Sequence, residues 1–242
     1  MKLPKYSLGV GDRFAQEGAF QLEAVLEASQ AGVTIAPVWN KSHREHQIIG
    51  SDPVDVRAEA DTVTRARGFS APYFVDADHV RLDSVDPFLA ACDYFTLDVA
   101  DAIGKEPPPE DARRFARYCE RFLGEIALPQ IDQRLQISPE MVDQASKQYL
   151  LAVQEANRLY RHIHDWKPAN GFITEISFDE TDTPQSPSEL FLILAAIAEA
   201  GIPVDTIAPR FPGRFNNGID YIGNLAEFAH EFEWNLAVVA YA

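Results

Sequence analysis

Short apolar runs alternating with helical stretches constrain this chain more than any other feature. "VTIAPVW" (33–39), "YFVDAD" (73–78), "DYFTLDV" (93–99), "NGFITEISF" (170–178) and "VDTIAP" (204–209) are rich in β-branched and aromatic residues. "YSLGV" (6–10) adds a first short run. Apolar rather than alternating strands belong to sheets covered on both faces, the mark of a parallel α/β fold. Helical spacing fills the gaps. Ala15, Ala19, Leu22 and Leu26 share one face over 15–28, and Gly32 stops that segment. Pro53 opens a helix over 53–67, and a short helix follows at about 85–91. Ser138 and Pro139 are a cap and a first-turn proline, starting a helix expected to reach about Arg161. Ser186 and Glu189 have capping-box spacing ahead of an apolar helix over 187–200, which Gly201 ends. In the tail, Leu225, Phe228, Phe232, Leu236 and Val239 keep helical spacing, so "LAVVAYA" reads as helix rather than strand.

Six β-α units fit either an open doubly wound sheet or six-eighths of a (β/α)8 barrel. Polar residues stand after nearly every strand: Gly11-Asp12-Arg13, Asn40-Lys41, Asp76-Asp78-His79, Asp98, Asp179-Glu180 and Arg210. A barrel brings all those strand ends to one face, whereas an open sheet gathers them at one switch point. The expected fold is therefore α/β, TIM-barrel-like and incomplete. It forms a single partial domain over 1–242, with a helical insertion at about 105–165.

Composition narrows the function. The chain has 21 basic and 37 acidic residues, a formal charge of −16. That surplus argues against nucleic-acid binding, which needs a basic face, and against anionic membranes. The longest apolar run, "LFLILAAIA" (190–198), falls far short of the roughly 18 residues a membrane span needs. The N-terminal "MKLPKYSLGVGDRF" has no apolar signal core, and two cysteines, Cys92 and Cys119, lack metal-like spacing. A cytoplasmic protein without disulfides is expected. Gly9-Val10-Gly11 lacks the third glycine of a dinucleotide fingerprint, and no phosphate loop or nucleophile elbow is present.

Four constellations carry candidate chemistry. Asp76, Asp78 and His79 end a buried strand. They suit either a carboxylate base beside an imidazole metal ligand or plain capping of the next helix. Alternation puts Asp76 and Asp78 on one side of the strand and His79 on the other, unless the chain turns there. Glu175 sits mid-strand between apolar neighbours, as an active-site acid or a structural ion pair. Asp179 and Glu180 follow it, as site residues or surface charge. Lys41, Arg44 and Arg210 follow strands and suit a carboxylate or other anion, or else neutralise excess acid. His43 and His46 have i,i+3 spacing, as metal ligands on a helix or part of a solvated loop. His162 and His164 near a helix end are explained by the helix dipole.

Several of these segments together resemble the tagaturonate epimerase family: "SLGVGDRF", "VDADHV", "FTLDVAD", "TEISFDETDTPQSP" and "APRFPGRFNNGIDYIGN". The resemblance runs from about residue 6 to the end of the chain. It implies a metal-dependent enzyme on a barrel-like scaffold that interconverts D-tagaturonate and D-fructuronate in hexuronate catabolism. By that resemblance Asp78 matches the proton acceptor, His79 a metal ligand and Glu175 the proton donor. The implied cofactor is a divalent cation, with zinc, manganese and nickel all suited to imidazole. The implied partner is a small ketouronate, gripped by Lys41, Arg13 or Arg210, with Asp76, Asp179 and Glu180 nearby. Family members continue into a His-Ser-Gly-Ser-Asp strand and a further histidine-bearing strand, so a partial chain with an incomplete metal site is expected. The competing readings are another metal-dependent barrel aldolase or isomerase, and a non-catalytic acidic domain.

Overall fold

The computed structural model describes residues 1–129, 131–168, 171–181, 183–216 and 219–242. Its elements in chain order are β1 (Ser7–Gly9), α1 (Gly18–Gln30), β2 (Ala36–Ser42), α2 (His43–Ile49), α3 (Pro53–Ala66), β3 (Phe74–Val80) and β4 (Tyr94–Asp98). They continue with α4 (Pro109–Cys119), β5 (Gly124–Ala127), β6 (Arg134–Ile137), α5 (Pro139–Ala145) and α6 (Leu151–Trp166). The last are β7 (Ile173–Phe178), α7 (Pro187–Ala200), β8 (Thr206–Pro209) and α8 (Leu225–Tyr241).

Six parallel strands form one sheet in the order β1-β2-β3-β4-β7-β8, while β5 and β6 make a separate antiparallel pair. Consecutive sheet strands are neighbours with helices between them, so the fold is α/β and of the incomplete TIM-barrel-like kind. The register aligns Val38 with Phe74, Asn40 with Asp76, Ser42 with Asp78, and Asp76 with Tyr94.

The chain forms two compact units. The first comprises Met1–Asp98, Arg158–Ile176 and Val204–Thr206. Leu22 and Val25 of α1 and Val56 and Ala60 of α3 are buried there, together with Trp39, Val75, Ala77, Phe95 and Leu97 from the strands. Two aspartates stand just before strands and close the ladder at their starts. Asp93 accepts the Val75 N–H at 2.8 Å and pairs with Arg57 at 2.6 Å. Asp205 accepts the Thr174 N–H at 2.9 Å. Each satisfies a backbone donor that would otherwise lie buried without a partner.

The second unit comprises Val99–Asn157, Ser177–Pro203 and Ile207–Ala242. Its centre is α7, whose Leu190, Phe191, Leu192, Ile193, Ala195, Ala196 and Ile197 are buried on nearly every side. Phe115 of α4, Leu135 and Ile137 of β6, and Val142 of α5 are buried in the same unit. Between α5 and α6 a π-helical turn at Ser146–Leu150 keeps the segment helical throughout, so the helix begun at Ser138 runs on to Trp166. Among the described residues no helix is long and apolar enough to cross a membrane.

Three features depart from the expected elements. Helix α2 replaces the polar loop. Its side chains give no apolar stripe, and it is set locally by the Ser42–Glu45 capping box and by Gly50, left-handed at φ 66°. The β5–β6 hairpin lies inside the helical insertion. Its strands are four residues each, too short for the period-2 pattern to stand out, although Ile126, Leu135 and Ile137 are buried. The short helix expected at about 85–91 is a single 3-10 turn at Asp86–Phe88, and elsewhere the differences are at boundaries. β2 starts at Ala36 because Val33 and Thr34 are exposed, and β7 begins at Ile173, residue 170 lying outside the described residues.

The capping box at α7 is fully formed. Ser186 Oγ accepts the Glu189 N–H at 3.3 Å, and Glu189 Oε2 accepts the Ser186 N–H at 2.9 Å. Ser186→Ala is expected to cost about 1 kcal/mol, read as a lowered thermal midpoint, and an unchanged midpoint contradicts the assignment.

Candidate active site

Parallel strands in register present equivalent residues on the same face. On one face of the first unit, Ala36, Val38, Phe74, Tyr94 and Ile173 form a buried apolar cluster. Two residues further along three of those strands stand Asn40, Asp76 and Glu175, and Thr96 follows Tyr94 on β4. A polar row thus lies directly against an apolar floor, with Asp76 and Thr96 buried and Asn40 and Glu175 partly so.

The row is closely hydrogen-bonded. Glu175 Oε2 accepts the Tyr94 hydroxyl at 2.7 Å and the Thr206 hydroxyl at 2.6 Å, and its Oε1 lies 3.2 Å from Thr96 Oγ1. Asp76 is 6% exposed and accepts the Thr96 N–H at 3.2 Å, with its Oδ2 3.0 Å from Thr96 Oγ1. Burial holds the Asp76 carboxyl well above the usual carboxylate range, and the charges of Asp78 and Glu175 push the same way. Burial and then Glu175 raise the Tyr94 phenol, which keeps it an O–H donor. Among the described residues, Asn40 Oδ1 is buried without a hydrogen-bond partner. It packs against the loop after β1, where a Cβ on Gly11 would meet it at 2.7 Å. Glycine at 11 is what lets the backbone come that close.

The end of β3 breaks the alternation rule. The pairing with β4 shifts between Ala77 and Val80, and His79 has φ 52°. This bulge carries one extra residue in a left-handed conformation that a side chain rarely adopts. It brings Asp78 and His79 together, with Asp78 Oδ1 2.8 Å from His79 Nδ1. A carboxylate on Nδ1 fixes the ring's orientation and tautomer, the usual support for an imidazole that works through Nε2. Among the described residues, no three His, Cys, Asp or Glu side chains are placed to hold a metal ion.

The other candidates fall elsewhere. Lys41 follows Asn40 on β2, so alternation turns it to the opposite face. It is 2% exposed, and its Nζ donates to the Arg13 carbonyl at 3.1 Å. The Arg13 side chain is exposed, 3.5 Å from Glu45. Asp12 accepts the N–H groups of Phe14, Gln16 and Glu17. Burial works against its charge, but those bonds and Lys41 outweigh it and lower its pKa. Asp98 binds Arg81 at 2.6 Å. His46 is buried on α2, 2.9 Å from Ser51 Oγ and edge-on to Phe88, while His43 contacts Gln47. Burial, then Lys41, lowers the His46 pKa. In the second unit, Asp179, Arg210 and Arg214 line a cleft of 690 Å³. Arg210 donates to the Asp179 carbonyl at 3.2 Å, the Asp179 carboxylate accepts the Ser177 hydroxyl, and Glu180 is exposed.

Fold and site together define an α/β barrel-type protein whose sheet face carries a hydroxyl-bridged carboxyl cluster beside an Asp–His pair. The chain belongs to the tagaturonate epimerase family, whose sequence profile matches residues 1–241. The tagaturonate/fructuronate epimerase of Thermotoga maritima is 25% identical over 244 residues, covering 96% of this chain and 49% of that protein. A glycerol-complexed crystal structure of the fructuronate-tagaturonate epimerase UxaE from Cohnella laeviribosi superposes with a TM-score of 0.83 at 24% identity. It covers 100% of this chain and 51% of that one. The native crystal structure of the same protein gives a TM-score of 0.79 at 23% identity, again over 100% and 51%. The chain thus spans about half the length of these relatives.

Tyr94, Thr96 and Thr206 were not singled out as candidates from the sequence. The available signal was parity: Tyr94 and Thr96 share a face of β4. The bulge itself yields a test. Glycine relieves the left-handed backbone at 79, whereas alanine keeps the strain and loses the ring. His79→Gly is expected to be more stable than His79→Ala by about 1 kcal/mol in thermal or urea unfolding. Equal stability contradicts a strained bulge.

Proposed function

We propose that this chain carries the acid and base groups of an epimerase that interconverts D-tagaturonate and D-fructuronate in hexuronate catabolism. The observation that carries the proposal is the sheet face in a chain of this family. There a partly exposed Asp78 abuts His79, while the half-buried Glu175 accepts the Tyr94 and Thr206 hydroxyls. The two carboxyl groups thus have different partners, an imidazole at one and hydroxyls at the other, which suits them to separate base and acid roles.

The two ketouronates differ at a carbinol carbon one removed from the carbon next to the ketone, so enolisation does not acidify its C–H bond. A retro-aldol route does reach it. In our reading Asp78 takes the proton of the carbinol hydroxyl, and that oxygen becomes an aldehyde carbonyl. The bond to the carbon beside the ketone breaks, and its electron pair moves into an enediolate. Glu175 supplies a proton to the enediolate side. The aldehyde then turns, the C–C bond re-forms on its other face, and the proton transfers reverse.

A divalent cation, when bound, supplies Lewis-acid stabilisation of charge developing on oxygen. His79, oriented through Nδ1 by Asp78, is proposed as one of its ligands. The described residues alone do not fit a complete metal site. Arg210 and Arg13 are the proposed grips for the substrate carboxylate. Of these, Arg210 has the support of a cleft lined also by Arg214. A reducing, cytoplasmic setting belongs to the same proposal. Cys92 and Cys119 are free and buried, and burial pushes the Cys119 thiol up to about 12.

The test is interconversion of the two ketouronates by the protein supplied with divalent metal. Asp78→Asn and Glu175→Gln are each expected to lower the rate by roughly 10²-fold or more. A trapped three-carbon aldehyde supports bond cleavage. Solvent deuterium entering the epimerised carbon contradicts it, and wild-type rates in either variant remove that residue from the mechanism.

A further inference from the structure

Thr96 Oγ1 carries one proton and stands between two carboxyl groups, 3.0 Å from Asp76 Oδ2 and 3.2 Å from Glu175 Oε1. A hydroxyl donates one hydrogen bond and accepts others. If both carboxyls were ionised, one of these oxygens would face the Thr96 lone pairs across a contact that is buried at Asp76 and half-buried at Glu175. The arrangement is satisfied when one carboxyl is an acid that donates to Thr96 while Thr96 donates to the other. Glu175 Oε2 already has the Tyr94 and Thr206 hydroxyls as partners, whereas Asp76 Oδ2 has the Thr96 hydroxyl, so the shared proton is placed at the Asp76 end.

We propose that Asp76 is a positioning residue that holds one proton for the pair, and that Thr96 relays it to Glu175. This rests on Glu175 being the proton donor of the proposed reaction. In the relay the Asp76 O–H bond breaks as a new O–H bond forms on Thr96 Oγ1. At the same time the original Thr96 O–H bond breaks and a bond forms to Glu175 Oε1. Asp76 ends as carboxylate, Glu175 as acid and Thr96 unchanged, with neither net charge nor proton count altered. Glu175 thereby receives its proton from within the fold.

Several groups face Asp76. Asp78 lies on its own strand, Asn40 at its register on β2, Tyr94 and Thr96 on β4, and Glu175 on β7, with Cys92 just before β4. The charges of Asp78 and Glu175 favour the protonated form, and burial weighs more than either. A carboxyl raised in the folded state adds stability below its unfolded value, and that stability is lost as pH rises toward the folded value.

Infrared spectroscopy of the protein at neutral pH reads the proton directly. The wild type is expected to show the carbonyl stretch of a protonated carboxylic acid, shifted in D2O. Asp76→Asn is expected to lose it and Asp78→Asn to keep it. The melting temperature of Asp76→Asn relative to wild type is expected to climb as pH rises from the ordinary carboxyl range to neutrality. If Asp76→Asn does not fold, Thr96→Val and Thr96→Ser take its place. The valine should displace the band and lower kcat about tenfold or more with KM nearly unchanged, and the serine should restore both. Absence of the band in wild type, its persistence in Asp76→Asn, or a valine variant indistinguishable from wild type overturns the inference. A missing band with epimerisation intact sinks the relay alone. A band present without turnover of either ketouronate sinks the epimerase reading and leaves the shared proton standing.

Discussion

Burying carboxyl groups against an apolar floor is costly unless each oxygen finds a partner, and the rest of the site follows from how this chain meets that demand. Leaving one buried polar group unpaired costs about 1–3 kcal/mol, more if it is charged. Glu175 meets the demand with three hydroxyls, from Tyr94, Thr96 and Thr206. Asp76 meets it with the backbone and side chain of one residue, Thr96. Those donors come from strands adjacent in the sheet, so the cluster exists only when β3, β4, β7 and β8 are paired in this register. A slip of one residue would turn every one of these side chains to the opposite face.

The apolar row of Ala36, Val38, Phe74, Tyr94 and Ile173 has a second role besides stability. It excludes water from one side of the polar row and lowers the local dielectric. Interactions between Asp76, Asp78 and Glu175 are correspondingly stronger than on an open surface. Tyr94 belongs to both rows: its ring packs edge-on to Phe74 while its hydroxyl reaches Glu175. Further along β3, the bulge at His79 ends regular pairing and turns two consecutive side chains toward each other. The strand thus changes from a packed, proton-holding middle to a partly exposed end.

Much of this was legible in the sequence. The spacing of α7, the helical reading of the tail over "LAVVAYA", the parallel sheet and the barrel-like class all follow from periodicity over segments long enough to show it. The short elements were not legible, because α2 and the β5–β6 hairpin are set by caps and tertiary contacts. At the site, a carboxylate in an apolar strand is conspicuous, so Asp76, Asp78 and Glu175 stood out. Their partners did not. Tyr94, Thr96 and Thr206 are ordinary strand residues, and only the register shows that their hydroxyls converge. The left-handed backbone at His79 left no trace either, since no glycine marks it. Lys41 is the converse case: a basic residue at a strand end looks like an anion grip, and one step of alternation places it on the face opposite Asn40, where its Nζ donates to the Arg13 carbonyl.

The central claim is that the carboxyl-bearing face, with Asp78 and His79 at its rim, is where substrate is handled. Backbone amide chemical-shift mapping tests it most directly, with D-fructuronate titrated into the labelled protein in the presence of divalent metal. The account predicts that the largest shifts fall at Asn40, Asp78, His79, Thr96 and Glu175. Shifts confined to residues remote from that face, with these five unmoved at saturation, would contradict it.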